Sequence, residues 1–246
     1  MTTLQQRPRE MSDHTSKAFD EELKDLARMV AEMGGLAEKQ IADAVDALIK
    51  RDIGRAQGVV TGDGAIDVLQ HAIEEKAVLT IARRQPMAVD LREIVGALRV
   101  SNDVERIGDL AKNIAKRVLA LPDDFYPQKL IRGVEHMSSM VLAQLKQVLD
   151  AYAGRDLGKA LAVWNGDEQV DALCTSLFRE LLTYMMEDPR NITFCIHLMF
   201  CAKNIERMGD HATNIAETVY YIIEGRAIAD QRPKGDTTAF AAVAHG

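Results

Sequence analysis

The chain is poor in the residues that punctuate or cross-link a fold. Of 246 residues, six are proline, three are cysteine and one is tryptophan, and aromatics make up only 5%. Cys174, Cys195 and Cys201 are too few for a disulfide framework, and no CxxC pair offers half of a zinc ribbon. Reduced, buried thiols are the expectation. Basic charge is not in excess either: the formal net charge is −7, which argues against nucleic acid as a ligand and suits cations or basic partner surfaces. No stretch reaches the roughly 20 continuous apolar residues of a membrane span. The opening MTTLQQRPREM lacks the apolar core of a signal peptide. A cytoplasmic protein with no membrane span is expected.

What is present is Ala, Leu, Val, Ile, Met, Glu, Lys and Arg, the composition of packed helices. An all-α fold follows. Breaks at Arg51-Asp52, Pro86, Leu121 to Asp124, Arg155-Asp156 and Asp188-Pro189 predict six long helices, near 17–50, 53–85, 90–120, 127–154, 157–187 and 191–224. Asp52 and Asp156 stand where N-caps belong. The polar residues 1–12 and the Gly- and Pro-containing residues 226–246 read as flexible tails.

The middle of the chain is written twice. RDIGRA at 51–56 matches RDLGKA at 155–160, and GDGAIDVL at 62–69 matches GDEQVDAL at 166–173, both offset by 104 residues. ERIGD at 105–109 returns as ERMGD at 206–210, offset by 101, so the second copy is shorter near its hairpin turn, where length changes cost least. The expected architecture is two tandem, similar three-helix bundles from an internal duplication, residues 13–121 and 122–225.

Each copy carries two acidic pairs at i, i+4, a spacing that puts both carboxylates on one helix face. They are Asp63 with Asp67 and Glu105 with Asp109, then Asp167 with Asp171 and Glu206 with Asp210. If the second and third helices of a copy form an antiparallel hairpin, level residues share a midpoint. Residues 63 and 109, like 67 and 105, share Pro86; 167 and 210, like 171 and 206, share a point between Asp188 and Pro189. Both midpoints coincide with the proposed turns. Four level carboxylates repel without a cation, and Mg²⁺, Mn²⁺, iron or Zn²⁺ accepts such oxygen ligands. At about 100° per residue, Asn102, Asp109 and Asn113 fall within about 80° of Glu105, while Val104, Ile107, Ala111, Ile114 and Val118 lie on the far side. Surface metal sites are therefore expected, against the plainer reading of solvated acidic faces.

Other polar signals are weaker. Gly108 and Gly209 open space either beside the acids or for close helix packing. His197 with Cys201 shares a face at zinc-ligand spacing but on the apolar side of its helix. His211 has Leu110 as its counterpart, and Arg106 and Arg207 can form ion pairs with the adjacent acids. A carboxylate-cluster metalloenzyme or metal-storage bundle is the alternative class. Ferritin-like centres use Glu-x-x-His, however, and no His here has Glu three residues before it. No P-loop pattern or nucleophile motif occurs.

FDEEL at 19–23, MGG at 33–35, RQPMAVDLR at 84–92, both ERxGD segments, YMMED at 184–188 and GDHATNIAE at 209–217 together resemble the PhoU family of bacterial phosphate-transport accessory proteins. The resemblance implies two three-helix bundles and iron or zinc clusters on E(D)xxxD motif pairs, which map onto Asp63, Asp67, Glu105, Asp109, Asp167, Asp171, Glu206 and Asp210. It further implies a non-enzymatic negative regulator of the phosphate-starvation response. Such a homodimer would link the ATPase subunit of the phosphate ABC transporter to a phosphate-sensing histidine kinase.

Overall fold

The computed structural model describes residues 7–121 and 128–229, with side chains from residue 18 onward. Among these residues there is no strand, and no helix is long and apolar enough to cross a membrane. The first repeat comprises α1 (Arg7–Lys50), α2 (Ile53–Gly62), α3 (Gly64–Arg84) and α4 (Val89–Ala120). The second comprises α5 (Gln128–Gly154), α6 (Leu157–Asn165), α7 (Asp167–Glu187) and α8 (Ile192–Glu224), with a 3-10 turn at Pro189–Asn191 before α8.

The six expected helices are present, but the second and the fifth are each interrupted once, at Asp63 and at Gly166. Glycines 62, 64 and 166 lower helix propensity there. The ladder tightens to three-residue bonds, Ile66 N to Asp63 O at 3.0 Å and Gln169 N to Gly166 O at 3.3 Å. Asp63 keeps helical dihedrals, φ −56° and ψ −38°, so the acids at these junctions stay close to the spacing their sequence implies.

Two boundary expectations need correction. The N-terminal tail expected over 1–12 is helical from Arg7, because Pro8 sits in the first turn, where a missing N–H costs nothing, and residues 9–16 contain no further proline or glycine. The C-terminal tail expected from 226 begins with a segment whose Ile228 packs against the core. Residues 1–6, the inter-repeat linker 122–127 and residues 230–246 lie outside the described residues.

The turn into the second helix of each repeat is built identically. Arg51 (φ 54°) and Arg155 (φ 51°) adopt the left-handed conformation that ends the preceding helix. The next residue caps the following one: Asp52 accepts from Arg55 N at 2.9 Å and Asp156 from Lys159 N at 3.0 Å. Each such cap contributes on the order of 1 kcal/mol. The hairpin turns also fall where the midpoints placed them, between Arg84 and Val89 and between Glu187 and Ile192.

Each repeat packs its three helical segments together, and the repeats join along α4 against α8 and α1 against α5. A continuous core runs through both, from Leu26, Val30 and Met33 to Ile215, Val219 and Ile222. Where α4 and α8 approach, Gly96 lies against Ile222 and Thr218. Toward the ends of this contact Arg117 covers Phe200 at 4.2 Å, and Arg99 covers Tyr221 at 5.0 Å.

A Cβ at position 96 would overlap Ile222 Cδ1 and sit 2.7 Å from its Cγ1, whereas one at position 209 meets nothing closer than 3.6 Å. Gly96→Ala should therefore lose about 1–3 kcal/mol through overpacking. Gly209→Ala should gain up to about 1 kcal/mol of helix propensity. Urea unfolding of both variants checks this, and a Gly96→Ala chain as stable as its parent would remove the close approach of α4 and α8.

Candidate functional site

The α3–α4 and α7–α8 hairpins bring the expected acids together. In the first repeat the Glu105 carboxyl is lifted above its ordinary range by burial, then by the charges of Asp109 and Asp67, with Arg106 opposing and Asp63 adding a smaller push. In the second, burial again leads in raising Glu206, Lys203 opposes, and Asp210 and Asp171 add to the rise. These couplings link the residues that the shared midpoints made level.

The surface placement is overturned. Asp63, Asp167, Asp171 and Glu206 are buried, with exposures of 6%, 2%, 4% and 6%. Asp67, Glu105, Asp109 and Asp210 are half-buried. The phase argument counted one covered side per helix. Yet α4 meets α1, α2, α3 and α8, and α8 meets α4, α5, α6 and α7. Carboxylates level across a hairpin necessarily lie at the seam between its two helices, and that seam is covered.

Each quartet contains a lysine that the sequence reading did not single out. Lys112 Nζ donates to Asp109 Oδ1 at 2.6 Å and to Asp63 Oδ2, spanning the hairpin. These bonds raise the lysine pKa further above its ordinary value. Asp63 Oδ1 accepts from the Gln40 amide of α1 at 2.8 Å. In the second repeat Lys203 Nζ pairs with Glu206 Oε1 at 2.8 Å, and the Thr213 hydroxyl donates to Asp167 Oδ1 at 3.1 Å. Glu206 Oε2 is buried with no hydrogen-bond partner. The signal was available in the alignment of the copies: Lys112 stands opposite Thr213, and Asn102 opposite Lys203.

Among the described residues no three His, Cys, Asp or Glu side chains converge closely enough, as they stand, to hold a metal ion. The two quartets nevertheless differ in what they leave open. In the first, the Lys112 ammonium lies between Asp63 and Asp109; in the second, the Lys203 ammonium meets one oxygen of Glu206 while the other is buried without a hydrogen-bond partner, an arrangement that costs free energy until a cation or donor meets it.

The remaining candidates resolve individually. Gly108 serves packing, since a Cβ there would lie 2.8 Å from Ile66 Cδ1 and 3.3 Å from Gln40 Oε1; a Cβ at Gly209 would make only ordinary contacts, at 3.6 Å or more. Cys201 is fully buried, which pushes its thiol pKa up to about 12, and it joins no ligand set with His197. His211 faces away from a ligand role: its Nδ1 lies 2.8 Å from Asp103 Oδ1, tying α8 of one repeat to α4 of the other. Arg106 and Arg207 are exposed.

A folded-state pKa for Glu206 above its ordinary value of 4.5 means that the fold favours the protonated acid. Stability should then fall as pH rises from about 4.5 through the raised value and stay reduced above it. In chelator-treated protein Glu206→Gln should abolish that part of the slope, melting higher than the parent at pH 7 and level with it below about 4.5. Each kcal/mol relieved corresponds to about 2–4 °C for a chain of this size. Thermal melts across pH decide it; parallel curves for the two proteins would show that Glu206 is not held uncomfortably.

Comparison with known proteins agrees with this duplicated geometry. The PhoU domain matches twice, over residues 30–118 and 134–219. The PhoU homolog of Rhizobium meliloti, named a phosphate-specific transport system accessory protein, is 58% identical over 226 residues, covering 92% of this chain and 95% of that one. The counterpart of Caulobacter vibrioides is 52% identical over 92% of this chain and 98% of its own. The crystal structure of PhoU from Pseudomonas aeruginosa superimposes with a TM-score of 0.79 at 41% identity, over 85% of this chain and all of that one. With two matching domains on an all-helical, duplicated frame, the chain belongs to the PhoU family.

Proposed function

We propose that this chain is a non-enzymatic, cytoplasmic regulator of phosphate homeostasis. It couples the ATPase subunit of a phosphate-specific ABC transporter to a phosphate-sensing histidine kinase and restrains the phosphate-starvation response when phosphate is ample. The observation that carries this reading is similarity along 92% of the chain to a protein named as a phosphate-specific transport system accessory protein. The surface chemistry suits an adaptor. At the tip of the first hairpin Met87 is 80% exposed, beside exposed Val89 and Leu91; at the second, Met186 is 78% exposed, beside Ile192 and Ile196. Flexible and branched apolar side chains at a helix-hairpin tip supply area for docking to partner proteins. A homodimer belongs to the same reading.

Metal binding is the second component. The acids proposed as ligands are Asp167, Asp171, Glu206 and Asp210 in the second repeat and, by motif, Asp63, Asp67, Glu105 and Asp109 in the first. The unpaired Glu206 Oε2 makes the second quartet the better fit. An iron, zinc or other divalent ion there would neutralise carboxylates and tie α7 to α8.

Removing the gene should leave phosphate-starvation genes expressed in phosphate-rich medium, read with a transcriptional reporter. Pull-down of the tagged chain from phosphate-rich cells should recover the transporter ATPase and the kinase. A reporter that stays silent in the deletion strain would overturn the assignment.

A further inference from the structure

Toward its turn the α7–α8 seam changes from acidic to apolar. On α8, Ile192, Ile196 and Phe200 stand at i, i+4 and i+8 with exposures of 39%, 41% and 49%, and at about 100° per residue they fall within about 80° of one another. Arg207 continues that face. On α7, Leu182 and Met186, 38% and 78% exposed, share a face with Arg179. Leu177 and Leu181 of α7 and Leu198 and Ala202 of α8 fill the sides turned into the bundle, so the two exposed faces border one seam from its solvent side. Except at Met186 these apolar side chains are more than half covered, and they line the seam rather than project from it, a shape that receives the ridge of another helix. Guanidinium groups flank this strip. Arg117 of α4 lies over the Phe200 ring at 4.2 Å, and neither it nor the exposed Arg179 and Arg207 meets a carboxylate among the described residues. The nearby acids are engaged, Asp188 by Arg190 at 2.6 Å and Glu206 by Lys203 at 2.8 Å. The first copy repeats the apolar strip without this flank: Val78 and Leu91 match Leu182 and Ile192, but Glu75 stands for Arg179 and Arg99 for Phe200.

We infer that the outer face of the α7–α8 hairpin docks an acidic amphipathic helix of a partner protein, its apolar ridge laid along Ile192, Ile196 and Phe200 and its carboxylates on Arg117, Arg179 and Arg207. From residue 192 to residue 207 the strip runs about 22 Å, roughly four helical turns, which admits anchors at i, i+4 and i+7 of one bound helix. Three guanidinium groups without carboxylate partners, on a chain whose net charge is −7, set the sign of that partner. A second copy is the poorer occupant, because a twofold contact through this face would bring the arginine flanks together. An anionic lipid surface matches the charge, but it takes apolar side chains that project, and these are set into a seam. The inference deepens the adaptor reading by giving the chemistry of one partner surface.

The test titrates the full chain onto a fluorescently labelled model helix, about five turns long, with leucine at i, i+4, i+7 and i+11 and glutamate on both flanks. Anisotropy is the readout. Two control peptides replace its glutamates by lysine or its leucines by serine, and each should bind at least about tenfold more weakly. Ile196→Gln with Phe200→Gln should weaken the glutamate peptide by about tenfold or more, and so should Arg179→Glu with Arg207→Glu, a variant that should also bind the lysine peptide better than its parent does. Val78→Gln with Leu91→Gln, on the matching face of the first copy, should leave binding unchanged. All of these positions are exposed; far-ultraviolet circular dichroism checks that each variant keeps its fold, and the arginine pair tests the face without touching its apolar residues. Absence of saturable binding by the glutamate peptide, equal binding of the lysine peptide, or an equal loss in Val78→Gln with Leu91→Gln overturns the inference. A dimer that Ile196→Gln with Phe200→Gln splits in sedimentation would give the face to a second copy, and binding to phosphatidylglycerol vesicles but not to the peptide would give it to lipid; either also overturns it. A silent reporter in the deletion strain together with intact peptide binding would remove the adaptor role and leave the docking face, whereas the reverse result removes the docking face alone.

Discussion

Carboxylates set level across the seam of two packed helices cannot remain there uncompensated. Four of them at one height repel one another, and burial strengthens the repulsion by withdrawing the water that would screen it. Positive charge or hydrogen-bond donors therefore have to be supplied from within the hairpin. In the first repeat the compensation comes from Lys112 on α4 and Gln40 on α1, so all the helical segments of that bundle are drawn to one point. In the second it comes from Lys203 and Thr213, both on α8, and it leaves one buried oxygen of Glu206 unmet.

Around this constraint the duplication is kept where it concerns backbone and loosened where it concerns charge. The left-handed arginine and the capping aspartate recur at 51–52 and 155–156 with nearly equal dihedrals, because any change there would disturb the start of a helix. Side chains around the acids have drifted. The Asp103–His211 contact at 2.8 Å has no mirror image, since Leu110 and Asn204 stand at the matching positions. Two repeats of common design thus share one core while offering different electrostatic environments.

Such a frame suits a protein that acts by being held or released. It has long helices, a covered polar seam in each half, and exposed methionines, Met87 and Met186, at the matching hairpin turns of the two copies. The three cysteines are buried, and burial raises the thiol pKa of Cys195 as well as that of Cys201.

The sequence by itself determined the helices, the duplication, the N-caps at Asp52 and Asp156, the turns at Pro86 and Pro189 and the pairing of acids across each hairpin. All of these follow from local propensity and from spacing, which act within a helix or between neighbours in the chain. Tertiary structure alone decided how deep the acids lie, because α4 and α8 are each covered by four helices and a single-helix phase cannot count covers. It likewise decided that a side chain at Gly108 would crowd Ile66 while one at Gly209 would make ordinary contacts, a matter of tenths of an ångström between side chains far apart in sequence. The choice of counter-ion stood between the two. Lys112 and Thr213 were readable as a difference between copies, but that the lysine reaches across the seam to Asp63, rather than out into water, depends on how α4 packs beside the α2–α3 junction.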